Sequence, residues 1–261
     1  MVEIIPNFVL EPEKAGETVE RIKQWIRDWF TKNGGITAVL GMSGGKDSTV
    51  CAKLLVDALG ADHVYGVFMP NGTQSDFQDA MDAAAYAGLI HTRKINIGGA
   101  YDALAAQMDS FDRHSPAGIN LAPRLRMTAL YMVAQGLPGG RVCCTGNRSE
   151  ATVGYCTLYG DLAGDFAPIL GIFKEDVCAI GKYLGLPEHL VDKTPSDGLS
   201  GLSDEDKLGF SYADIREYCL SGCMKLPKET FDKVHAMSER NGFKDRLVHL
   251  PRWWGPGVAD V

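Results

Sequence analysis

An alternation of apolar strand-like runs with amphipathic helical segments restricts the possible fold of this chain more than any other feature. The strand-like runs read ITAVLGM (36–42), HVYGVFMP (63–70), IHTRKINI (90–97) and GRVCCTG (140–146). The helical segments cover residues 12–32, 47–59, 75–88, 99–113 and 119–136. Because parallel strands need a crossover between them, usually a helix, this order predicts an α/β fold. We expect a doubly wound parallel sheet with helices on both faces.

The second half of the chain loses this alternation. Residues 147–172 show no clear period and are predicted to be rich in loops, whereas residues 174–185 are predicted to form a helix. A connector rich in Gly, Ser and Asp follows over residues 192–209. Connectors of such length without regular structure are usually functional. Two or three further helices are predicted to close the chain.

Neither an internal repeat nor a clean break divides the sequence. We therefore expect one domain over residues 1–261, with residues 1–16 and 251–261 as peripheral tails. The amino terminus carries acidic residues and no apolar run beside a cleavage site, so no leader peptide is expected. No segment approaches the run of about 18 apolar residues that a membrane helix needs, so no membrane partner is expected.

Charge and cysteine content narrow the class of partner. The formal net charge is −7, which argues against a general nucleic-acid binder because such proteins present basic surfaces. The seven cysteines are scattered and odd in number, as expected for the reduced thiols of a cytoplasmic protein. Cys219 and Cys223 form a lone C-x-x-x-C with no second pair nearby, which is a weak indication of zinc.

A glycine-rich turn between the first predicted strand and the next helix carries the clearest chemistry. It reads SGGKDS (43–48) and lacks the spacing of a Walker loop. Small residues allow backbone N–H groups to converge on an anion, and the following helix adds its positive end. Ser43 and Ser48 can donate hydrogen bonds, and Lys46 can offset phosphate charge. Asp47 would repel phosphate, so its role is explained best as a Mg²⁺ ligand; alternatively, it caps the helix of an ordinary turn.

These residues resemble the SGGxDS loop of the N-type ATP pyrophosphatases, a Rossmann-like family. Three further segments are similar to those of NAD synthetases: NLAPRLRM (120–127), TGNRSEATVGYCTLYGD (145–161) and KTPSDGLSGLSDEDKLGFSYADI (193–215). The similarity covers roughly residues 17–250. It implies an N-type ATP pyrophosphatase fold with extra C-terminal helices. The chain has no room for an added glutaminase domain, so it resembles the short members that use ammonia.

The resemblance implies a reaction and a set of substrates. ATP would adenylate the nicotinate carboxylate of deamido-NAD, pyrophosphate would leave, and ammonia would attack the mixed anhydride to give NAD and AMP. The implied partners are therefore small molecules, together with Mg²⁺ and a second copy of the chain in a homodimer. The predicted 119–136 helix is a plausible element of that dimer interface.

The resemblance also implies roles for single residues. The ATP-binding positions would be Gly41, Met42, Ser43, Gly44, Gly45, Lys46, Asp47, Ser48, Thr145, Lys174 and Ser196. The Mg²⁺ ligands would be Asp47 and Glu150, and the catalytic residues Lys46, Asp47 and Lys174. The deamido-NAD-binding positions would be Arg124, Asp165, Phe243 and Lys244. Hard oxygen ligands suit Mg²⁺, and lysine and arginine stabilise charge on phosphates.

Each of these roles has a simpler alternative. Glu150 could be a carboxylate at a helix amino terminus, and Lys174 could be a solvated residue at the start of a helix. Arg124 could form a surface ion pair, since Arg126 is an equally good candidate two residues later. Asp161 and Asp165 could be turn formers in a Gly-rich loop.

Two positions depart from the family pattern. Leu158 stands where many members have a lysine that reaches the dinucleotide, and Phe243 stands where they have a histidine. The ATP-binding half of the pattern is intact. Two other functions therefore remain open. The chain could amidate or thiolate a different substrate with the same loop, or it could be a nucleotide-binding sensor without catalysis.

Overall fold

A four-stranded parallel sheet forms the centre of the molecule. The computed structural model describes residues 10–73, 77–191, 203–221 and 224–247. The strands are β1 (Thr37–Gly41), β2 (Val64–Phe68), β3 (His91–Lys94) and β4 (Gly140–Val142). Their order across the sheet is β3-β2-β1-β4, and all neighbouring pairs are parallel. The chain therefore builds the sheet outward in one direction from β1 and then returns to add β4 on the opposite side.

Helices account for most of the remaining described chain. The first five α-helices are α1 (Ala15–Lys32), α2 (Lys46–Leu59), α3 (Phe77–Ala87), α4 (Gly98–Ala105) and α5 (Pro116–Gln135). The later ones are α6 (Arg148–Val153), α7 (Lys174–Tyr183), α8 (Glu188–Val191), α9 (Asp204–Leu208), α10 (Tyr212–Ser221) and α11 (Lys228–Asn241). Short 3-10 segments cover Pro12–Lys14, Ala61–His63 and Gly242–Leu247. Among the described helices, none combines the length and apolarity needed to span a bilayer.

The two faces of the sheet pack against different helices. Ala38 and Leu40 of β1 belong to a core cluster that includes Leu54 and other buried residues of α1, α2, α3 and α7. Val39, between them, belongs to a second cluster that includes Leu130 of α5. Successive side chains of a strand point to opposite faces, so helices cover both faces of the sheet. This confirms the predicted doubly wound α/β fold.

The C-terminal helices form a smaller cluster beside the sheet. Ile215 of α10 and Val234 of α11 are fully buried together with Val153 of α6. The closing helices predicted from the sequence therefore pack on the segment that follows β4. At the other end of the chain, the Leu10 side chain is buried, and its N–H donates to Asp176 of α7 at 3.4 Å. The predicted tail over residues 251–261 lies outside the described residues.

The helix predicted over residues 99–113 is wrong in its second half, because α4 ends at Ala105. The chain then turns before α5 begins. In this turn, Asp112 accepts a hydrogen bond from the His114 N–H at 2.8 Å, and the Ser115 hydroxyl donates to the Asp112 carbonyl at 2.7 Å. Ser115 also caps α5, with Pro116 next to it in the first turn. Short polar side chains and proline thus override the helical period.

The prediction that residues 147–172 are mostly loop missed α6. Asn147 caps this helix, and Glu150 closes a capping box with it. Gly154 then ends the helix in the left-handed conformation, at a φ of 61°. Both end signals are local, and the helix between them has only six residues, which is too short to show an apolar period.

The fourth strand is also shorter than the predicted run GRVCCTG. Beyond β4, the Cys143 N–H still donates to the Val39 carbonyl of β1 at 2.9 Å. On its other side, the chain pairs with a later segment, since the Cys144 N–H donates to the Phe166 carbonyl at 2.8 Å. This contact brings the loops after β4 back across the carboxyl end of the sheet.

Candidate active site

A pocket opens at the carboxyl ends of β1 and β4, where the strand order reverses. Ligands in open α/β sheets bind at such a position. The glycine-rich loop after β1 contributes Ser43, Asp47 and Ser48 to the lining, and the segment after β4 contributes Thr145 and Asn147. The topology thus joins two segments that are about 100 residues apart in the chain.

Backbone conformation explains why the loop needs glycine. Gly44 has a φ of 77°, which L residues with a side chain rarely adopt. A Cβ atom at Gly44 would also lie 2.9 Å from the backbone nitrogen of Ala80 in α3. The loop is therefore pressed against α3, and any larger residue at this position would displace one of them.

The serine hydroxyls hold the loop in shape. The Ser43 and Ser48 oxygens lie 3.0 Å apart, and the Ser43 oxygen accepts a hydrogen bond from the Gly45 N–H at 3.2 Å. The Ser48 hydroxyl donates to the Gly45 carbonyl at 3.0 Å. These bonds fold the loop tightly over the amino terminus of α2, where free N–H groups and the helix dipole favour an anion.

One lysine joins two carboxylates beside this loop. Lys174 Nζ donates to Asp47 Oδ2 at 2.8 Å and to Glu150 Oε1 at 2.7 Å. The three side chains come from α2, α6 and α7, and the Lys174 side chain is only 8% exposed. The structure therefore brings together three residues that the resemblance had named separately. We refer to Asp47, Asn147, Glu150 and Lys174 as the carboxylate cluster.

Two simpler alternatives for this cluster are not supported by the geometry. Asp47 does not cap α2, whose capping residue is Gly45 and has no side-chain bond. Lys174 does begin α7, but it is buried rather than solvated. Glu150 does lie at a helix amino terminus, where one carboxylate oxygen faces the Asn147 N–H at 3.4 Å, while the other oxygen contacts Lys174.

Asn147 is the member of the cluster that sequence reasoning missed. Its side chain is fully buried, and its Nδ2 donates to Asp47 Oδ1 at 3.1 Å. Its Oδ1 accepts from the Glu150 N–H at 3.0 Å. A local signal existed, since an asparagine followed three residues later by glutamate is the pattern of a capping box. That pattern predicts the cap but says nothing of the bond to Asp47.

Burial and charge perturb the titration of the cluster. Burial raises the pKa of Glu150 to about 6, although the Lys174 ammonium opposes this shift. For Lys174, burial alone would lower the pKa, but the carboxylates of Glu150 and Asp47 outweigh it and raise the pKa well above its ordinary value. Lys174 therefore remains a cation throughout the neutral range. The Lys174 Nζ also lies over the aromatic ring of Tyr212, 5.1 Å from the ring centroid.

The structure places Lys46 away from this pocket. Its side chain is buried, and Nζ lies 3.5 Å from the Cys178 sulfur on α7. Lys174, rather than Lys46, is the ammonium that faces the carboxylates. Met42 is likewise a buried core residue. Ser196 lies outside the described residues.

The structure does not join the four residues that were predicted to bind the dinucleotide. Three of them bond to backbone groups, and the fourth is exposed. Arg124 Nε donates to the Leu158 carbonyl at 3.1 Å, and Lys244 Nζ donates to two carbonyls of the 154–156 turn, each at 2.9 Å. Asp165 accepts from the Val142 N–H at 2.7 Å, which ties β4 to the returning segment. Phe243 is 63% exposed. Among the described residues, no hydrogen bond or ion pair joins any two of these four.

Two residues of α5, Tyr131 and Arg126, also form hydrogen bonds near these positions. The Tyr131 hydroxyl donates to Asp165 at 3.2 Å, and burial, with this carboxylate, raises the pKa of Tyr131 to about 12. Arg126 Nε donates to the Met69 carbonyl at 3.0 Å. The interpretation of Asp165 as a mere turn former therefore omits its bond to the end of a strand.

Asp161 is a further pocket residue, to which the sequence analysis gave no binding role. It lines the pocket and accepts a hydrogen bond from the Thr157 N–H at 2.7 Å. Burial raises the pKa of its carboxyl group. Its position in the quoted GD dipeptide was the only signal in the sequence.

The donor set near the loop fits a hard divalent cation. Asp47 and Glu150 share one ammonium, so their oxygens lie within a short distance of one another. Mg²⁺ is commonly bound by one or two carboxylates together with water and substrate phosphates. The described residues contain no cluster of three or more His, Cys, Asp or Glu side chains that could hold a metal ion.

Comparison with known proteins identifies a family. The model of the NAD synthase family matches residues 18–248. An NH3-dependent NAD+ synthetase of Pyrococcus horikoshii is 40% identical over 259 residues, which cover 94% of this chain and 96% of that relative.

Solved structures agree with this match. The structure of NMN synthetase from Francisella tularensis has a TM-score of 0.81 and 30% identity, and the alignment covers 93% of this chain and 99% of that one. The NH3-dependent NAD synthetase from Campylobacter jejuni has a TM-score of 0.74 and 26% identity, with 93% and 100% covered.

Proposed function

The chain belongs to the NAD synthase family, and from this premise we propose that it is an ammonia-dependent NAD synthetase. A carboxylate oxygen of deamido-NAD attacks the α-phosphorus of ATP, the bond between the α- and β-phosphates breaks, and pyrophosphate leaves. Ammonia then attacks the carbonyl carbon of the mixed anhydride. AMP leaves with the bonding electrons, the nitrogen loses a proton, and the amide of NAD remains.

The observation that carries this proposal is the carboxylate cluster at the glycine-rich loop. A lysine held by two carboxylates at the carboxyl end of a parallel sheet is suited to triphosphate chemistry. The ammonium can bind phosphate oxygens, and the carboxylates beside it can bind the accompanying cation. Backbone N–H groups of the loop and the amino terminus of α2 would receive the departing pyrophosphate. Ser43 and Ser48 would keep these groups in place, as their hydrogen bonds do here.

We assign the ammonium of Lys174 to the phosphates of ATP. It is fixed by two hydrogen bonds and retains its charge because its pKa is raised. A preorganised cation stabilises the negative charge that develops as the phosphate bond breaks. Thr145, which lines the same pocket, would contact the nucleotide.

Asp47 and Glu150 would hold Mg²⁺ together with oxygens of ATP. When bound, the ion neutralises phosphate charge and orients the triphosphate. The carboxylates would then share their oxygens between this ion and Lys174, which explains why a negative side chain stands within an anion-binding loop.

The dinucleotide would be bound by Arg124, Asp165, Phe243 and Lys244. Arg124 is exposed on α5, so its guanidinium can reach a substrate phosphate while its Nε keeps the contact to the Leu158 carbonyl. Phe243 could cover an apolar ring, since most of its surface is exposed.

We also propose that the chain works as a homodimer in the cytoplasm. α5 exposes two large apolar side chains, Ile119 and Met132, which are 60% and 61% exposed, and each could be covered by contact with a second copy. The cysteines that the structure describes are free thiols, as expected in a reducing compartment.

The test is NAD formation by the purified chain with ATP, Mg²⁺ and deamido-NAD. With ammonium, NAD and pyrophosphate should appear in equal amounts, and the rate should rise with pH as ammonium loses its proton. With glutamine in place of ammonium, no more than trace NAD is expected. The proposal fails if deamido-NAD does not trigger pyrophosphate release.

A second candidate shares the chemistry but takes a smaller substrate, nicotinate mononucleotide. Two observations favour it. Leu158 offers no cation where many relatives place a lysine for the dinucleotide, and the TM-score is higher to an NMN synthetase than to the NAD synthetase from Campylobacter jejuni. Comparing kcat/KM for the mononucleotide and for deamido-NAD decides between them. A value for the mononucleotide at least tenfold higher would replace the first proposal.

A further inference from the structure

Asn147 links the two carboxylates of the cluster through a single buried side chain. Its Nδ2 donates to Asp47 Oδ1 at 3.1 Å, and its Oδ1 accepts from the Glu150 N–H at 3.0 Å. Its own N–H faces Glu150 Oε2 at 3.4 Å. One residue therefore contacts a loop carboxylate on α2 and both the backbone and the side chain of a residue on α6.

We propose that Asn147 is a positioning residue that sets the relative orientation of Asp47 and Glu150, so that both present an oxygen to one divalent cation. The inference rests on the proposed function, because the cation is the one that accompanies ATP. Asn147 orients ligands and does not itself react. Outer partners of this kind fix the orientation of metal ligands and tune their affinity for the ion.

The amide is chemically suited to this task. Asparagine carries a donor and an acceptor on one short side chain, so it can cap α6 and bond to a carboxylate at the same time. An ionised aspartate could cap the helix but could not donate to Asp47. A serine could cap the helix, but its oxygen is closer to the backbone and would not also span to Asp47.

Asn147 is itself held by a rigid frame. The N–H of the next residue, Arg148, donates to the Ile172 carbonyl at 2.8 Å. Ser149 Oγ accepts from the Lys174 N–H at 3.1 Å, which joins the first turn of α6 to the start of α7. Asn147, Ser149 and Lys174 are all buried. The position of Lys174 between the carboxylates is thus coupled to the same helix end that Asn147 caps.

A variant that keeps the helix cap but loses the bond to Asp47 distinguishes a structural cap from a positioning residue. Asn147→Ser keeps an oxygen that can accept the Glu150 N–H and removes the donor to Asp47. Ser115→Ala is the matched control, since Ser115 caps α5 by accepting the Gly118 N–H at 3.2 Å and lies outside the cluster. The control loses a helix cap without altering either carboxylate.

The experiment measures Mn²⁺ binding by electron paramagnetic resonance in the presence of a non-hydrolysable ATP analogue. Thermal unfolding and the Mg²⁺ dependence of pyrophosphate release are measured on the same proteins. Asn147→Ser should bind Mn²⁺ about tenfold more weakly than the wild type, within the range for the loss of such outer partners. The Mg²⁺ concentration for half-maximal rate should rise to match. The weaker binding should be seen at a temperature at which the unfolding curves show both variants to be fully folded.

Other outcomes overturn the inference. Wild-type Mn²⁺ affinity in Asn147→Ser would show that the residue is only a cap. Equal losses of Mn²⁺ affinity in both variants would show a general effect of lost helix caps. If the wild-type chain bound no Mn²⁺, the two carboxylates would not form a cation site. The proposed function is judged separately, by whether deamido-NAD triggers pyrophosphate release and by the comparison with the mononucleotide.

Discussion

The carboxylate cluster and the four residues assigned to the dinucleotide differ in how they are held. In the cluster, side chains from three helices bond directly to one another, and Lys174 and Asn147 are buried. None of the described dinucleotide residues bonds to another of them: Arg124 and Lys244 bond to backbone carbonyls, and Asp165 bonds to a strand N–H and to the Tyr131 hydroxyl. Phe243 is mostly exposed. The cluster is thus held by bonds between its own side chains, whereas the dinucleotide residues are held by contacts to other parts of the fold.

This difference indicates how binding at each region would be affected by mutation. A buried, mutually bonded cluster is preorganised, so removing one member leaves the others with unpaired charge. An exposed arginine or lysine can change rotamer to meet a substrate, and its loss removes one contact without disturbing the rest. Changes in the cluster should therefore reduce catalysis strongly, and changes in the dinucleotide residues should weaken substrate binding moderately.

The largest expected effect is that of Asp47→Asn. The variant keeps the shape of the side chain but loses the charge that faces Lys174 and would bind Mg²⁺. Pyrophosphate release should fall at least about 100-fold, which is the size of effect seen when a preorganised charged contact is lost. Asp57→Asn, on the same helix in a partly buried ion pair with Lys53 outside the pocket, is the control and should be nearly normal in activity. A rate near that of the wild type in Asp47→Asn would contradict the metal role.

The second effect concerns stability and pH. Glu150 binds its proton more tightly in the folded chain, with a pKa of about 6, than at its ordinary value of 4.5. The stability that this proton contributes is present below pH 4.5 and is lost as the pH rises through about 6. The shift corresponds to at most about 2 kcal/mol in the free energy of unfolding.

Denaturant titrations without metal or nucleotide check this effect. Between pH 4.5 and pH 6.5, the wild type should lose up to about 2 kcal/mol of stability relative to Glu150→Gln, which cannot titrate. Lys174 keeps its charge throughout this range, so it does not add a slope of its own. A difference between the two proteins that stays constant with pH would show that Glu150 titrates normally.

A moderate effect is expected for Arg124→Ala. A hydrogen bond to a charged group contributes about 1.5–3 kcal/mol when it is well shielded, and less at an exposed position such as this one. The KM for deamido-NAD should therefore rise about tenfold, while the KM for ATP changes little. Arg113→Ala removes an exposed arginine paired with Asp102 and serves as the control. Equal changes in both KM values would place Arg124 outside the dinucleotide site.

The smallest effect is predicted for Lys244→Ala. Its ammonium contacts the Gly154 and Cys156 carbonyls, and these contacts also support the turn. We expect the KM for deamido-NAD to rise several-fold, with little effect on ATP. Lys233→Ala, in an exposed pair with Glu229, is the matched control. If the KM for deamido-NAD stays at the wild-type value, Lys244 serves only the turn.

Much of the fold could be predicted from local patterns. The alternation of strand-like and helical segments predicted the four strands of the sheet and their parallel arrangement. Burial on both faces makes a short apolar run of β1, whereas β3 is a largely exposed edge strand. The predictions that were wrong concern ends and short elements. α4 stops at Ala105, and Asp112 and Ser115 form a turn within the rest of the predicted segment before α5 begins; α6 was missed because six residues show no period.

For the candidate site, the sequence predicted which residues take part but not how they contact one another. Asp47, Glu150 and Lys174 were singled out through their motifs, but nothing local indicated that one lysine contacts both carboxylates. The assignment of Lys46 illustrates the limit. Its place in the loop suggested a phosphate contact, yet the direction of its side chain along α2 points it to Cys178.

The sequence by itself therefore determined the period of each element, the glycine that the loop requires and the residue types available for chemistry. Only the tertiary structure decided which of these residues meet. Lys174 and Asp47 lie 127 positions apart, and they are joined because β1 and β4 are neighbours and α7 packs on the same face as α2. Charge and burial depend on those distant neighbours, so the raised pKa of Glu150 and the bridging role of Asn147 are properties of the folded arrangement.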